Sequence, residues 1–308
     1  MKIKKLFTNQ SKYRCSIITI LGHVDSGKTS LLDYIRKTKV NQGEAGQITQ
    51  QIGASFFPKK KIMKELKKLK GDWPINNIIF PGFLIIDTPG HESFSNLRQR
   101  GSSLCDLAIL VVDINQGLLP QTIESINLLK ARRTPFIIAM NKVDLFYGWK
   151  KNQDASIRQT LKKQKEQVRG YFKDKLNSVV AQFAKQLLNV NLYYNKCDLE
   201  EEIPIVPTSG KTGEGIPDLL GMMSHLTERF LKEDITKEGK QFRATILEVR
   251  KIEGMGHTID IILVNGVLQI EDRIIFQGLH GPVETQVKAI LTPHPLREIR
   301  VKGEYLHH

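Results

Sequence analysis

The stretch Gly22-His23-Val24-Asp25-Ser26-Gly27-Lys28-Thr29 decides the fold. It stands between Ser16–Leu21, an apolar run that reads as a strand ending at Gly22, and Thr29–Thr38, which reads as a helix. A G-x-x-x-x-G-K-T segment in that setting folds into a loop whose glycines let successive backbone N–H groups wrap a phosphate. The helix start adds positive dipole character at the same point. Gly22 and Gly27 supply the freedom, Asp25 and Ser26 line the loop, and Lys28 is placed to reach β- and γ-phosphates. The Thr29 hydroxyl is placed to ligate Mg²⁺.

Outward from this loop, apolar runs and helical patterns alternate. Phe83–Asp87, Leu107–Asp113, Pro135–Asn141 and Ile203–Pro207 read as buried strands, because uninterrupted apolar character is what a sheet covered on both faces requires. Helices are expected at Glu92–Arg100, Gln121–Arg133 and Ile216–Phe230. A shorter basic helix is expected at Lys59–Lys70, and one long helix over Ala155–Leu188, whose apolar residues recur at threes, fours and one seven. This alternation predicts an α/β fold with a doubly wound, mostly parallel sheet. After the charged stretch Lys232–Lys240 the pattern changes to short β-branched runs: Ala244–Val249, Thr258–Leu263, Arg273–Phe276 and Val283–Leu291. Asn265-Gly266 is a hairpin signal between two of them. The expected organisation is an N-terminal extension over 1–15, a nucleotide-binding domain over 16–234 and the start of a β-barrel over 240–308. So few strands would leave edges exposed, so an incomplete barrel is expected.

Three further segments sit at predicted strand ends. Asp87-Thr88-Pro89-Gly90-His91 ends a strand with a carboxylate suited to Mg²⁺, and Gly90 can bring its N–H against a γ-phosphate. In Asn141-Lys142-Val143-Asp144, the Asp144 carboxylate can accept both the ring N–H and the exocyclic amine of guanine. Adenine would leave that acceptor unpaired, a mismatch that discriminates by roughly 10⁴. The Lys142 stem can pack on the base, and Asn141 can tie this loop to the phosphate loop. Thr208-Ser209-Gly210-Lys211 completes the pocket with main-chain N–H groups directed at the guanine carbonyl. Thr49, in the polar connection after the first helix, is the candidate for a hydroxyl that reaches Mg²⁺ only when the γ-phosphate is present. The four ordered motifs together point to GTP and GDP as ligands.

The chain of 308 residues carries a net charge of +14, which suggests a polyanionic partner through counterion release, or simple solubility. Cys15, Cys105 and Cys197 are far apart, odd in number and form no Cys-x-x-Cys pair, which argues against a disulfide scaffold or zinc site. No apolar run reaches the length of a membrane span, and residues 1–14 lack a signal-peptide core. A cytoplasmic location is the expectation.

Taken together, these motifs resemble the translational GTPases. Those carrying the resemblance are G-H-V-D-S-G-K-T, E-A-G-Q-I-T-Q-Q-I-G-A, D-T-P-G-H-E-S-F-S-N-L-R and N-K-V-D. The run Ser93–Asp106 and the segments Pro120–Leu129, Gly254–Asp260 and Arg300–Lys302 are similar to the branch formed by eukaryotic and archaeal translation initiation factor 5B and bacterial initiation factor 2. The resemblance implies a ribosome-dependent GTPase that promotes joining of the ribosomal subunits, with ribosomal RNA as partner. It implies His91 as the residue orienting the attacking water and Val24 with Ile48 as the apolar gate before it. Asp25 matches a carboxylate that holds a monovalent cation, K⁺ or Na⁺. Three departures accompany it: Gln47 replaces a glycine, Gly210 replaces an alanine, and the branch's later β domain, connecting helix and tRNA-end-binding domain have no counterpart. Contacts with initiator tRNA and other initiation factors are therefore expected through regions this chain lacks. A monomer is expected. A GTP-sensing RNA-binding module without turnover is the rival from another class; an organellar initiation factor of bacterial type, against which the run Ser93–Asp106 speaks, and an ATP-dependent P-loop enzyme are the others.

Overall fold

The computed structural model describes residues 12–37, 53–69, 78–87, 105–195, 197–236, 242–252, 256–278, 281–292 and 306–307. The expected helix Glu92–Arg100 and the residues Ile48, Thr49, Gly90 and His91 lie outside the described residues.

A seven-stranded sheet forms the centre. Its strands are β1 (Ser16–Gly22), β2 (Gly53–Pro58), β3 (Gly82–Asp87), β4 (Leu107–Asp113), β5 (Phe136–Asn141), β6 (Val190–Leu192) and β7 (Ile203–Pro207), in the order β2-β3-β1-β4-β5-β7-β6. All neighbours are parallel except β2, which runs antiparallel to β3 from Gly53 opposite Asp87 to Pro58 opposite Gly82. The doubly wound α/β sheet is thus as expected, with β2 and the three-residue β6 added as its two edge strands.

Strand alternation explains how one sheet serves two cores. On one face Ile18, Ile20, Ile85, Leu107, Ile109, Val111, Ile137 and Ala139 are buried under α1 (Lys28–Arg36), α2 (Lys59–Leu66) and α6 (Ile216–Phe230). On the other, Ala108, Leu110, Val112, Ile138 and Met140 lie beneath α3 (Pro120–Arg132) and α5 (Glu166–Lys185). Each fully buried Leu, Ile or Phe contributes about 1.5–3 kcal/mol, so the strand register is strongly specified.

The long helix expected over Ala155–Leu188 is two helices: α4 (Ile157–Lys162) and α5 (Glu166–Lys185). The break has a cause. Gln164 is buried between them and its amide nitrogen donates to Lys150 O (2.7 Å) and Thr160 O (3.1 Å), while its Oε1 accepts the Lys150 N–H (2.8 Å). A polar side chain turned inward satisfies the loop backbone there instead of continuing the helix. The basic helix Lys59–Lys70 is α2 plus a 3-10 turn at Lys67–Leu69.

Beyond the sheet come three antiparallel pairs. They are β8 (Arg243–Ile252) with β9 (Gly256–Asn265), β10 (Arg273–Gly278) with β11 (Gly281–Gln286), and β12 (Leu291–Thr292) with β13 (Leu306–His307). Two expectations are corrected here. Asn265-Gly266 does not make a hairpin: β9 ends there, and its partner is the preceding β8. The run Val283–Leu291 is likewise interrupted after Gln286. The β8–β9 pair packs on the sheet, with Leu247 and Ile262 buried against Ile17 and Ile86.

Candidate functional site

The chain leaves β1 into the phosphate loop at a topological switch point, since β3 and β4 flank β1 on opposite sides. Ligands of open α/β sheets lie there, outside the carboxyl ends of the strands. Gly22 (φ 146°) and Gly27 (φ 90°) hold the loop in conformations that favour glycine. A Cβ on Gly27 would stand 2.3 Å from Asn141 Nδ2, and one on Gly22 would stand 2.4 Å from Val111 O. Both glycines are therefore required by close approach as well as by dihedral angle. Asp25, an exposed side chain, takes the left-handed conformation at φ 63°.

Lys28 is buried and folds back over the loop, its Nζ donating to Gly22 O (2.9 Å) and His23 O (2.7 Å). Burial pushes its ammonium below the ordinary lysine value, while the nearby Asp87 and Asp25 carboxylates oppose that shift. Asp87 is fully buried at the end of β3, and Thr29 is buried in the first turn of α1. A carboxylate and a hydroxyl at these strand and helix ends form the hard-oxygen donor set that suits Mg²⁺. The Ser26 Oγ is buried without a hydrogen-bond partner among the described residues, a polar atom that a phosphate oxygen would satisfy. The residues present therefore fit a magnesium-bound nucleotide phosphate.

Asn141 ends β5 and joins three segments. Its Nδ2 donates to Ser26 O at 3.0 Å, and its Oδ1 accepts the Gly210 N–H at 3.0 Å. This is the tie between base-reading and phosphate-binding loops that the sequence predicts. Asp144 Oδ1 accepts from Ser209 Oγ at 2.6 Å, and Ser209 Oγ also accepts the N–H groups of Lys211 and Thr212 at 3.2 and 3.1 Å. The Gly210 and Lys211 amides are thus engaged within the loops. Lys142 takes φ 68° and its Nζ pairs with Asp113 Oδ2 at 2.9 Å. That ion pair lays its stem along the phosphate loop, with Cε 3.8 Å from a Cβ placed on Gly27. The Val24 N–H donates to Gln121 Oε1 at 3.1 Å.

Sequence reasoning missed Glu214. Its side chain is fully buried, and its Oε1 accepts from Trp149 Nε1 (3.1 Å) and the Asn152 N–H (2.8 Å). Oε2 accepts from Thr212 Oγ1, and the Glu214 carbonyl accepts the Ser209 N–H at 2.9 Å. One carboxylate therefore holds the loop after β5 and the loop after β7 together. The available signal was Gly213-Glu214-Gly215: both glycines have positive φ (81° and 72°), bending the chain so that the acid points inward. Asp218 has a similar role in the first turn of α6, accepting from Ser156 Oγ (2.8 Å), the Ile157 N–H (3.0 Å) and Tyr193.

Comparison with known proteins agrees with this geometry. The Elongation factor Tu GTP binding domain matches residues 13–229. Eukaryotic translation initiation factor 5B of Schizosaccharomyces pombe is 50% identical over 302 residues, covering 97% of this chain and 28% of the relative. The Homo sapiens protein of the same name is 49% identical, covering 97% and 24% respectively. The chain thus spans about a quarter of these relatives. Among solved structures, GDP-bound aIF5B from Aeropyrum pernix superposes with a TM-score of 0.85 at 44% identity, covering 96% of this chain and 50% of that one. A bacterial selenocysteine-specific elongation factor at 22% identity (TM-score 0.58) shares the fold. With the domain matched over most of its length and the phosphate and base loops joined through Asn141, the chain belongs to the family of proteins built on the elongation factor Tu GTP binding domain.

Proposed function

We propose that the protein is a GTP-hydrolysing switch of translation initiation, whose GTP form grips the ribosome, promotes subunit joining and releases after hydrolysis. The observation that carries the reading is Asn141, which bridges Ser26 O and the Gly210 N–H and so welds a triphosphate cradle to a guanine pocket. The names of the relatives supply the translational context.

Hydrolysis of GTP passes through a loose transition state, so positioning and charge stabilisation do the catalysis. Lys28 and the loop N–H groups hold the phosphates. Thr29 and Asp87 would hold Mg²⁺, with Thr49 joining them in the GTP form. That ion would neutralise charge gathering on the β–γ bridge. His91 would align the attacking water, behind a gate of Val24 and Ile48, and Gly90 would sense the γ-phosphate. Asp25 would hold a monovalent cation beside the phosphates. Loss of the γ-phosphate removes the contact that closes both switch segments.

Ribosomal subunits and ribosomal RNA are the proposed partners. Initiator tRNA and other initiation factors belong to regions of the longer relatives that this chain does not align with. A monomer in the cytoplasm fits this role. None of the described helices is long and apolar enough to cross a membrane.

The test is turnover with and without ribosomes at saturating GTP. Slow hydrolysis alone and a large ribosomal stimulation are expected, and equal rates would refute the mechanism. Ribosome pelleting with a non-hydrolysable GTP analogue against GDP tests the switch, since equal retention would remove it.

A further inference from the structure

Three residues past Asp144, Tyr147 presents a side chain that is 99% exposed, the most exposed large apolar residue among those described. Its turn is nevertheless rigidly mounted. Phe146 and Trp149, on either side, are buried; the Phe146 ring packs at 5.1 Å from Tyr171 and 5.9 Å from Trp149. Trp149 Nε1 is fixed to Glu214 at 3.1 Å. The turn is thus anchored to the core on both sides of a ring that faces water.

The surface around that ring is basic. The loop runs along the α4–α5 junction and the start of α5: a Cβ on Gly148 would touch Val168 at 3.4 Å, Lys150 N–H meets Gln164 Oε1 at 2.8 Å, and Lys163 Nζ meets Asn152 Oδ1 at 3.1 Å. These contacts bring the loop that carries Tyr147, Lys150 and Lys151 beside the segment that carries Lys163, Lys165 and Arg169, and all five cationic residues are exposed. Between residues 150 and 169 the sequence has seven Lys or Arg against two acids. One of those acids, Asp154, is already taken by Tyr34 at 2.6 Å, Lys37 at 3.7 Å and Lys68 at 3.5 Å.

We propose that Tyr147 and the cations of the 150–169 segment form an RNA-binding surface that takes an unpaired base on the tyrosine ring and the flanking phosphates on the lysines and Arg169. The chemistry selects this partner. Every base offers a π-face to an exposed aromatic ring, and stacking tolerates any sequence. Leu145 and Tyr171 nearby are exposed as well, yet an acidic protein would need only the cations, whereas a nucleic acid uses both the phosphate-binding cations and the aromatic face. The surface is separate from the phosphate cradle, so RNA occupancy does not require GTP hydrolysis and the inference stands apart from the switch.

The experiment is fluorescence anisotropy of the full chain with a labelled single-stranded U-rich RNA and with polyglutamate of equal charge, across a salt series. GDP affinity is measured alongside as the control for folding. Tyr147→Ala should weaken RNA binding about tenfold with the salt slope unchanged. The triple variant Lys150→Ala, Lys165→Ala, Arg169→Ala should weaken it at least about tenfold and flatten the slope by about 2. GDP affinity should hold in both. Undetectable RNA binding at low salt, binding indifferent to Tyr147, or equal binding of polyglutamate would each overturn the proposal.

Discussion

In the proposed reading, base choice falls to the acceptor Asp144, and its geometry sets what a substitution does. Ser209 Oγ already occupies Oδ1 at 2.6 Å, which orients the carboxylate within the loop. Asp144→Asn replaces a group that accepts from both guanine donors with one whose oxygen accepts from one and whose amide N–H groups face the other donor, a position where xanthine offers a carbonyl. GDP affinity is expected to fall by roughly 10³-fold and xanthosine diphosphate to become the preferred ligand, in equilibrium titrations of both. Gly27 makes a second residue-scale case. Gly27→Ala would force its methyl onto Asn141 Nδ2 at a positive φ, and strain of that kind should cost roughly tenfold or more in GDP affinity. Cys197 gives a pH-dependent prediction. Burial, with Glu202 and Asp198 nearby, pushes its thiol from 9.0 up to about 11. The reactive thiolate is therefore scarce at pH 8, and alkylation there should run about a hundredfold slower than for a thiol of ordinary pKa, rising as pH climbs toward 11. A rate at pH 8 equal to that of an ordinary thiol would contradict this placement.

At the scale of elements, what could be read in advance depended on how local the cause was. β1, β3, β4, β5 and β7 announced themselves as unbroken apolar runs because both faces of the sheet are covered. β2 did not: Gly53–Pro58 is a strand only because Asp87 to Gly82 lies opposite it, a partner some thirty residues on. The α4–α5 break hid in one polar residue, although the seven-residue spacing between Leu161 and Val168 marked the place. The phosphate loop and the Asn141 tie were legible from motif order. Glu214 was not, since its role depends on Trp149 and Asn152 arriving from another loop. Glu214→Ala would strand the Trp149, Asn152 and Thr212 donors, at about 1–3 kcal/mol each. GDP binding should weaken about tenfold and the melting temperature should fall, while Glu214→Gln, which keeps an acceptor, should recover most of both.

At the scale of the whole molecule, the nucleotide end of the sheet and the β8–β9 pair share an apolar contact. Ile86, one residue before Asp87, is buried against Leu247 and Ile262 together with Ile17. Strand alternation puts Ile86 on the face that β8 and β9 cover, while Asp87 ends the strand beside the proposed phosphate site. Leu247→Ala should therefore cost about 2 kcal/mol in chemical denaturation without changing GDP affinity, because the leucine touches the far side of β3 rather than the pocket. In the proposed reading, one end of the sheet recognises guanine and phosphate together. Calorimetric titration of the magnesium-supplied protein with GDP and with ADP tests it most directly. The expected result is GDP binding tighter than ADP by roughly 10⁴-fold, and comparable affinities for the two would contradict it.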